Sequence, residues 1–206
     1  MRVDPDTHFE SEFWKSGLLH VAGLDEAGRG ALAGPVAVGA VILPNDSTLL
    51  SRTLAGVRDS KQMTPLERES LAPCIQETAL AWSVAFASAE EIDSQGIVRA
   101  TRLAALRALQ DLSIFPQYLL TDFRLELPQL DISQTALVKG DVHCLSIAAA
   151  SVLAKTARDA YMRKLDSQYE GYGLGKHKGY GTQAHRSAMK RKGLSSVHRR
   201  SFSFKK

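Results

Sequence analysis

Four carboxylates stand where apolar runs give out. Asp25 and Glu26 follow Leu18 to Leu24, Asp122 follows Tyr118-Leu119-Leu120-Thr121, and Asp141 follows Ala136-Leu137-Val138-Lys139-Gly140. Unpaired buried charge is costly, so acids at the ends of core strands need partners. Drawn to one edge of a sheet they would repel, by roughly 4 kcal/mol per pair at about 4 Å and an effective dielectric near 20. Bound cations remove that repulsion. An all-oxygen set without His or Cys selects hard ions, Mg²⁺ or Mn²⁺, over zinc. Two such ions can stabilise the attacking and leaving oxygens of an in-line phosphoryl displacement. Taken singly, each Asp also suits a turn, and Asp141 stands where it could cap the helix that follows. The Asp25-Glu26 pair departs furthest from that reading, because a cap needs one carboxylate.

Beside the pair lies Gly28-Arg29-Gly30, followed by Ala33-Gly34-Pro35 and the apolar run Val36 to Leu43. No Gly-Lys-Ser/Thr follows, so this is not a Walker loop. A turn with so little side chain lets its backbone approach a sugar-phosphate closely. Ser60 and Lys61, in Arg58-Asp59-Ser60-Lys61, are candidate phosphate contacts. Ser151, Lys155 and Asp159 recur at i, i+4 on one helix face, which leaves two readings. Lys155 and Asp159 form a surface pair, or Lys155 touches phosphate while Asp159 braces the metal site. His143 reads as an exposed residue at a helix start.

These residues need a scaffold, and the chain supplies strands before and between helices. Residues 1–17 form a leader in which Phe9, Phe13 and Trp14 suit a short helix. Leu18–Leu24, Val36–Leu43 and Trp82–Ala87 read as strands, then Tyr118–Asp122 and Ala136–Asp141. Thr64-Pro65-Leu66-Glu67 opens a helix with a capping box and a first-turn proline. Ile97 to Leu112 is amphipathic, with Leu103, Leu106 and Leu109 toward the core and Arg99, Arg102 and Arg107 away from it. Leu145 to Tyr169 is a long alanine-rich helix, and Thr182 caps a short basic helix that Gly193 ends. The order predicts a mixed α/β sheet, antiparallel early and parallel late.

Composition is that of a globular domain, 44% hydrophobic and 23% charged. The net charge of +4 hides an asymmetry, since residues 171–206 hold ten Lys/Arg and no Asp or Glu. A basic tail on an acidic body fits a polyanion grip, through Lys176, Lys178, Arg186, Lys190 and Arg191, or simple solubilisation. Cys74 and Cys144 lack zinc-site spacing and point to a reducing compartment. No signal segment and no run near the roughly 20 apolar residues of a span is visible, so a cytoplasmic protein without membrane contact is expected.

Gly23-Leu24-Asp25-Glu26-Ala27-Gly28-Arg29-Gly30 with Ala33-Gly34-Pro35-Val36 closely resembles the N-terminal signature of type 2 ribonuclease H, the bacterial ribonuclease HII family. Asp59-Ser60-Lys61, Leu119-Leu120-Thr121-Asp122, Lys139-Gly140-Asp141, Ile147 to Lys155 with Arg158-Asp159, and His177-Lys178-Gly179-Tyr180-Gly181-Thr182 continue it in order. Phe123, where a glycine is common, and the spacer Val142-His143-Cys144 depart from it. The resemblance implies a ribonuclease H-like mixed five-stranded sheet flanked by helices over residues 18–170. A small basic helical extension would occupy 171–206. It implies an endonuclease that cuts 5′ of ribonucleotides in RNA–DNA hybrids and in duplex DNA carrying single ribonucleotides, leaving 5′-phosphate and 3′-hydroxyl ends. By motif position Asp25, Glu26, Asp122 and Asp141 would hold two Mg²⁺ or Mn²⁺ ions. Gly28, Arg29 and Gly30 would read the 2′-hydroxyl, and Tyr180 would pack on the neighbouring deoxyribose. A hydroxyl that both donates and accepts is what distinguishes RNA from DNA at one position. A monomer is expected. Two other classes remain: a different nuclease on the same sheet, and a hybrid-binding module without catalysis.

Overall fold

In the computed structural model, which describes residues 4–122 and 125–202, the apolar runs become a five-stranded sheet ordered β3-β2-β1-β4-β5. The strands are β1 Val21–Ala27, β2 Val36–Ile42, β3 Ala81–Ala87, β4 Tyr118–Asp122 and β5 Gln134–Leu137. β1, β2 and β3 pair antiparallel, while β4 joins β1 and β5 joins β4 in parallel. This is the mixed α/β arrangement that the order of elements predicts. Phe123, Phe204, Lys205 and Lys206 lie outside the described residues.

The helices are α1 His8–Lys15, α2 Ser47–Thr53, α3 Pro65–Thr78, α4 Ala89–Gln95, α5 Ile97–Gln110, α6 Gly140–His143, α7 Leu145–Gln168, α8 Leu174–His177 and α9 Gln183–Lys192, with a 3₁₀ turn at Ser60–Gln62. On one face of the sheet, Val21, Val41 and Leu120 meet Ile147 to Ala150 of α7, with Ile75 of α3 and Trp14 of α1. On the other, Leu24, Val38 and Leu119 meet Ala100, Ala104 and Ala108 of α5. β2, covered on both faces, is buried at every position. A Cβ at Gly39 would run into the Ala150 carbonyl, so α7 lies almost on the backbone of the sheet. That closeness explains the alanines of α7.

Three expectations need correction. β1 does not stop at Leu24: its antiparallel pairing with β2 continues through Asp25↔Gly39 and Glu26↔Val38 to Ala27↔Ala37. Asp25 and Glu26 therefore sit within the strand. β5 ends at Leu137, and Lys139, at φ 56°, turns the chain so that Asp141 falls in α6. On α5 the buried stripe is Ala100, Thr101, Ala104, Ala105, Ala108 and Leu109, with Leu103 and Leu106 only half-buried at its flanks. A helix pressed close to a sheet uses small residues at the contact.

The capping box forms as predicted, with Glu67 N–H donating to Thr64 Oγ1 at 3.3 Å and Thr64 N–H to Glu67 Oε2 at 2.6 Å. Residues 171–202 pack Leu174 and Ala188 on Ala33, Met162 and Leu165. Backbone bonds stitch that segment to the β1–β2 connection: Leu32 N–H to Gly179 O at 2.8 Å, Gly34 N–H to Val197 O at 2.8 Å, and Arg199 N–H to Leu32 O at 2.9 Å. Among the described residues no helix is long and apolar enough to cross a membrane.

Candidate active site

The sheet register builds the acidic cluster. β4 pairs Thr121 with Leu24, so the next residue along each strand brings Asp122 level with Asp25. Asp25, Glu26 and Asp122 each offer a carboxylate oxygen within 4.8 Å of the others. Asp25 is 2% exposed, and its Oδ2 and Glu26 Oε2 are buried without a hydrogen-bond partner. Burial, then the Glu26 charge, pushes the Asp25 carboxyl well above the usual range. Burial and the Asp122 charge raise Glu26 too, against the pull of Arg29, whose Nη1 lies 3.8 Å from Glu26 Oε1. Orphaned, mutually repelling oxygens of this kind are a donor set suited to a hard cation.

Asp141 is not drawn into that triad. Its Oδ2 accepts from Lys61 Nζ at 3.1 Å, and burial raises its carboxyl above the usual range while Lys61 opposes the shift. Asp141 caps neither α6 nor α7. Asp122 Oδ1 accepts from the Gly140 N–H at 3.1 Å, which ties β4 to the start of α6. Burial works against the Lys61 ammonium, and the Asp25 and Asp141 charges more than reverse it, holding its proton above the usual lysine range. Lys61 is thus the cation that the carboxylates have in hand. His143 is exposed, as expected of a helix-start residue.

Beside the triad, Glu26, Gly28, Arg29, Gly30, Ser60, Lys61, Lys155 and Tyr180 line a groove of about 170 Å³. Gly28 has φ 93°, and a Cβ there would overlap the Arg158 guanidinium, so both conformation and space demand glycine. Tyr180 is 36% exposed, with Lys155 Nζ and Arg158 Cζ at 5.7 and 5.4 Å from its ring centroid. Ser60 is buried, its hydroxyl 2.8 Å from that of Ser151, and Ser151 in turn hydrogen-bonds Asp25. Behind them Arg68 donates to Ser60 O at 2.8 Å and to Asp159 Oδ2 at 3.2 Å. Lys155 Nζ meets the other oxygen of Asp159 at 2.7 Å, and burial lowers the Lys155 pKa against that pairing. The Lys155–Asp159 pair is therefore partly buried in the site wall, not a surface pair.

Behind the groove lie residues to which sequence spacing assigns no role. Arg158 is fully buried and donates to Pro35 O at 2.8 Å and Ala33 O at 3.3 Å. Arg199, one of the basic residues of the tail, is also buried and reaches back to the glycine turn. His185 and His198 have their Nε2 atoms 3.1 Å apart, with the His177 ring stacked on His185 and the Tyr172 ring against His198. Ser195 N–H donates to His198 Nδ1 at 3.1 Å, which leaves His198 Nε2 to donate to His185 and His185 Nδ1 to donate to Tyr180 O at 3.0 Å. Burial, then His185, pulls the His198 pKa down to about 4. The motif His177 to Thr182 pointed to this region, but neither to His185 nor to its partner His198, 13 residues beyond it.

The model of the family described as Ribonuclease HII matches residues 22–205. A ribonuclease HII of Dehalococcoides mccartyi is 49% identical over 200 residues, covering 97% of this chain and 93% of that one. A ribonuclease HII of Myxococcus xanthus is 48% identical over 195 residues, covering 94% of this chain, which spans 64% of that relative's length. The crystal structure of ribonuclease H2 from Pyrococcus horikoshii OT3 superposes with a TM-score of 0.72 at 28% identity, covering 88% of this chain and 93% of that one. With sheet, acidic cluster and sequence in agreement, the chain belongs to the ribonuclease HII family of type 2 ribonucleases H.

Proposed function

We propose that this protein hydrolyses the phosphodiester bond 5′ of ribonucleotides, in RNA–DNA hybrids and at single ribonucleotides embedded in duplex DNA. The observation that carries this reading is the adjacency of two sites on one edge. The triad of Asp25, Glu26 and Asp122 shares Glu26 with the groove lined by Gly28, Arg29, Gly30 and Tyr180. Chemistry and sugar selection meet at Glu26, two residues before Gly28.

Two divalent cations, Mg²⁺ or Mn²⁺, would be held by Asp25, Glu26 and Asp122 with Asp141 at the rim, and when bound would supply Lewis acidity for the developing phosphate charge. The protein's own groups do the rest. Lys61 and Ser60 sit at the groove wall, where an ammonium and a hydroxyl suit phosphate oxygens. Lys61 would be released by its carboxylates as cations take its place. Lys155, held by Asp159, is a second fixed positive charge at the wall. The Gly28-Arg29-Gly30 backbone supports reading of a 2′-hydroxyl, and the half-exposed Tyr180 ring offers a flat face to the next sugar. We take the working unit to be a monomer. We place it in the cytoplasm on its two free thiols, Cys74 and Cys144.

The test is a DNA duplex with one ribonucleotide, incubated with and without Mg²⁺ or Mn²⁺. Metal-dependent nicking on the 5′ side, leaving a 3′-hydroxyl and a 5′-phosphate, is expected. Binding without nicking would make the protein a hybrid-binding module, and equal cleavage of the all-DNA duplex would make it a different nuclease.

A further inference from the structure

Arg199 belongs to the far end of the chain, yet its side chain lies behind the glycine turn and is 2% exposed. Nη2 donates to the Gly28 carbonyl at 2.8 Å, Nη1 to the Arg29 carbonyl at 2.7 Å, and Nε to the Gly34 carbonyl at 3.0 Å. These partners are neutral oxygens. Burial, then the neighbouring Arg158, brings the Arg199 pKa down to about 9. A buried cation held by three carbonyls, with the Phe202 ring 5.1 Å from its Cζ, is costly to desolvate. The geometry gives the arginine a use.

A peptide unit is planar and trans, so the carbonyl of one residue points opposite to the N–H of the next. Aiming the Gly28 and Arg29 carbonyls at the interior therefore turns the Arg29 and Gly30 N–H groups the other way, off the buried guanidinium. The rigid fork of arginine can hold two successive carbonyls in fixed directions, which the single nitrogen of lysine cannot. Gly28, at φ 93°, is the residue least able to hold a direction by its own side-chain sterics. The turn closes on itself only through Ala31 N–H to Gly28 O at 3.2 Å, and Arg199 adds a brace on both the Gly28 and Arg29 carbonyls.

We propose that Arg199 is a positioning residue for sugar recognition: by holding the carbonyls of Gly28 and Arg29 it sets the N–H groups that meet a ribose in the groove. This rests on the ribonucleotide reading above. The extension thereby acts as a back-plate for the turn as well as a basic surface. Its own anchor is visible. Asp93 at the end of α4 accepts from Arg200 N–H at 2.9 Å, from Ser201 N–H at 2.9 Å and from Ser201 Oγ at 2.6 Å, pinning the segment that carries Arg199.

The experiment compares wild type, Arg199→Lys and Asp93→Ala as full chains. Steady-state cleavage of a DNA duplex with one ribonucleotide is measured in Mg²⁺, with an all-DNA duplex of the same sequence as competitive inhibitor. Arg199→Lys should lower kcat/KM by about tenfold, the loss of one well-placed hydrogen bond, while the inhibition constant of the all-DNA duplex stays unchanged. Asp93→Ala removes no buried group, so it keeps the question open should the lysine variant fold poorly. It should lower kcat/KM by a smaller factor with the same selectivity. A parallel weakening of the all-DNA competitor would make Arg199 a general folding or duplex-binding residue, and unchanged kcat/KM in both variants would show that the turn holds itself. Either result overturns the proposal. Failure of the underlying reading is separate, because it would show in the wild type, as indifference to the ribonucleotide.

Discussion

Asp25 is buried beside two other carboxylates and keeps an oxygen without a hydrogen-bond partner, a position that stabilises nothing in the metal-free protein. Its raised pKa states the cost: the folded chain binds this proton more tightly than the unfolded chain does. Where the folded state holds more protons, stability falls as pH rises. The metal-free protein should therefore lose stability as pH climbs from the ordinary carboxylate range through the raised value, and Mg²⁺ should reverse the loss at neutral pH. Asp25→Asn removes the charge but keeps an acceptor for the Glu26 N–H now bound at 2.7 Å. In chelator at pH 7.5 it should melt higher than wild type, while nicking is abolished. A thermal melt without that gain would mean the cluster is already compensated from within the protein. Asp25, Glu26 and Asp122 are legible in the sequence because charge after an apolar run is itself an anomaly. The retreat of Asp141 to Lys61 is not, because it depends on a left-handed turn at Lys139 that an ordinary side chain does not announce.

Elements report the same division between what periodicity carries and what contact decides. Strand existence, the capping box at Thr64, and helices α5, α7 and α9 follow from apolar period and cap chemistry. Where β1 stops follows from its partner, since pairing with β2 continues across two charged residues. The chain of hydrogen bonds from Ser195 through His198 and His185 to the Tyr180 carbonyl is likewise invisible until α9 folds back. It makes a prediction at this scale. Two imidazoles facing through Nε2 share one proton, and a second would set donor against donor. His198, with a folded pKa of about 4 against an ordinary 6.5, binds protons less readily when folded. Its contribution to stability is therefore intact above pH 6.5 and is lost as pH falls toward 4, on the order of 2 kcal/mol after allowing for partial screening by solvent. Melting curves of wild type and His198→Gln should converge as pH is lowered through that window, because only the histidine gains a proton. A stability difference that stays constant from pH 7 to 4.5 would remove this pair as a source of acid sensitivity.

Across the whole molecule, the basic residues of the tail that the structure describes divide into two populations. Arg199 is buried against the glycine turn, Lys178 bonds the Gly175 carbonyl, and Lys192 reaches the Glu170 carbonyl at 2.6 Å. Lys176, Arg186, Lys190 and Arg191 are exposed, on α8 and α9. Composition shows only the sum, so it reads as a uniform grip on polyanion; the fold assigns part of that charge to bracing the site. The remainder is still enough to matter. Each phosphate engaged contributes about −0.9 to the slope of log affinity against log salt. If Lys190 and Arg191, adjacent in the last turn of α9, both engage the backbone of a duplex, changing both to alanine should flatten that slope by about 1.8. The loss should be the same for all-DNA and ribonucleotide-bearing duplexes, because phosphate contacts carry no information about the sugar. Binding titrations across a range of KCl, in chelator so that no cleavage competes, measure both quantities at once. A slope unchanged by the double substitution would take the exposed end of α9 out of the binding surface, and a loss confined to the ribonucleotide-bearing duplex would move those residues into the sugar-reading site.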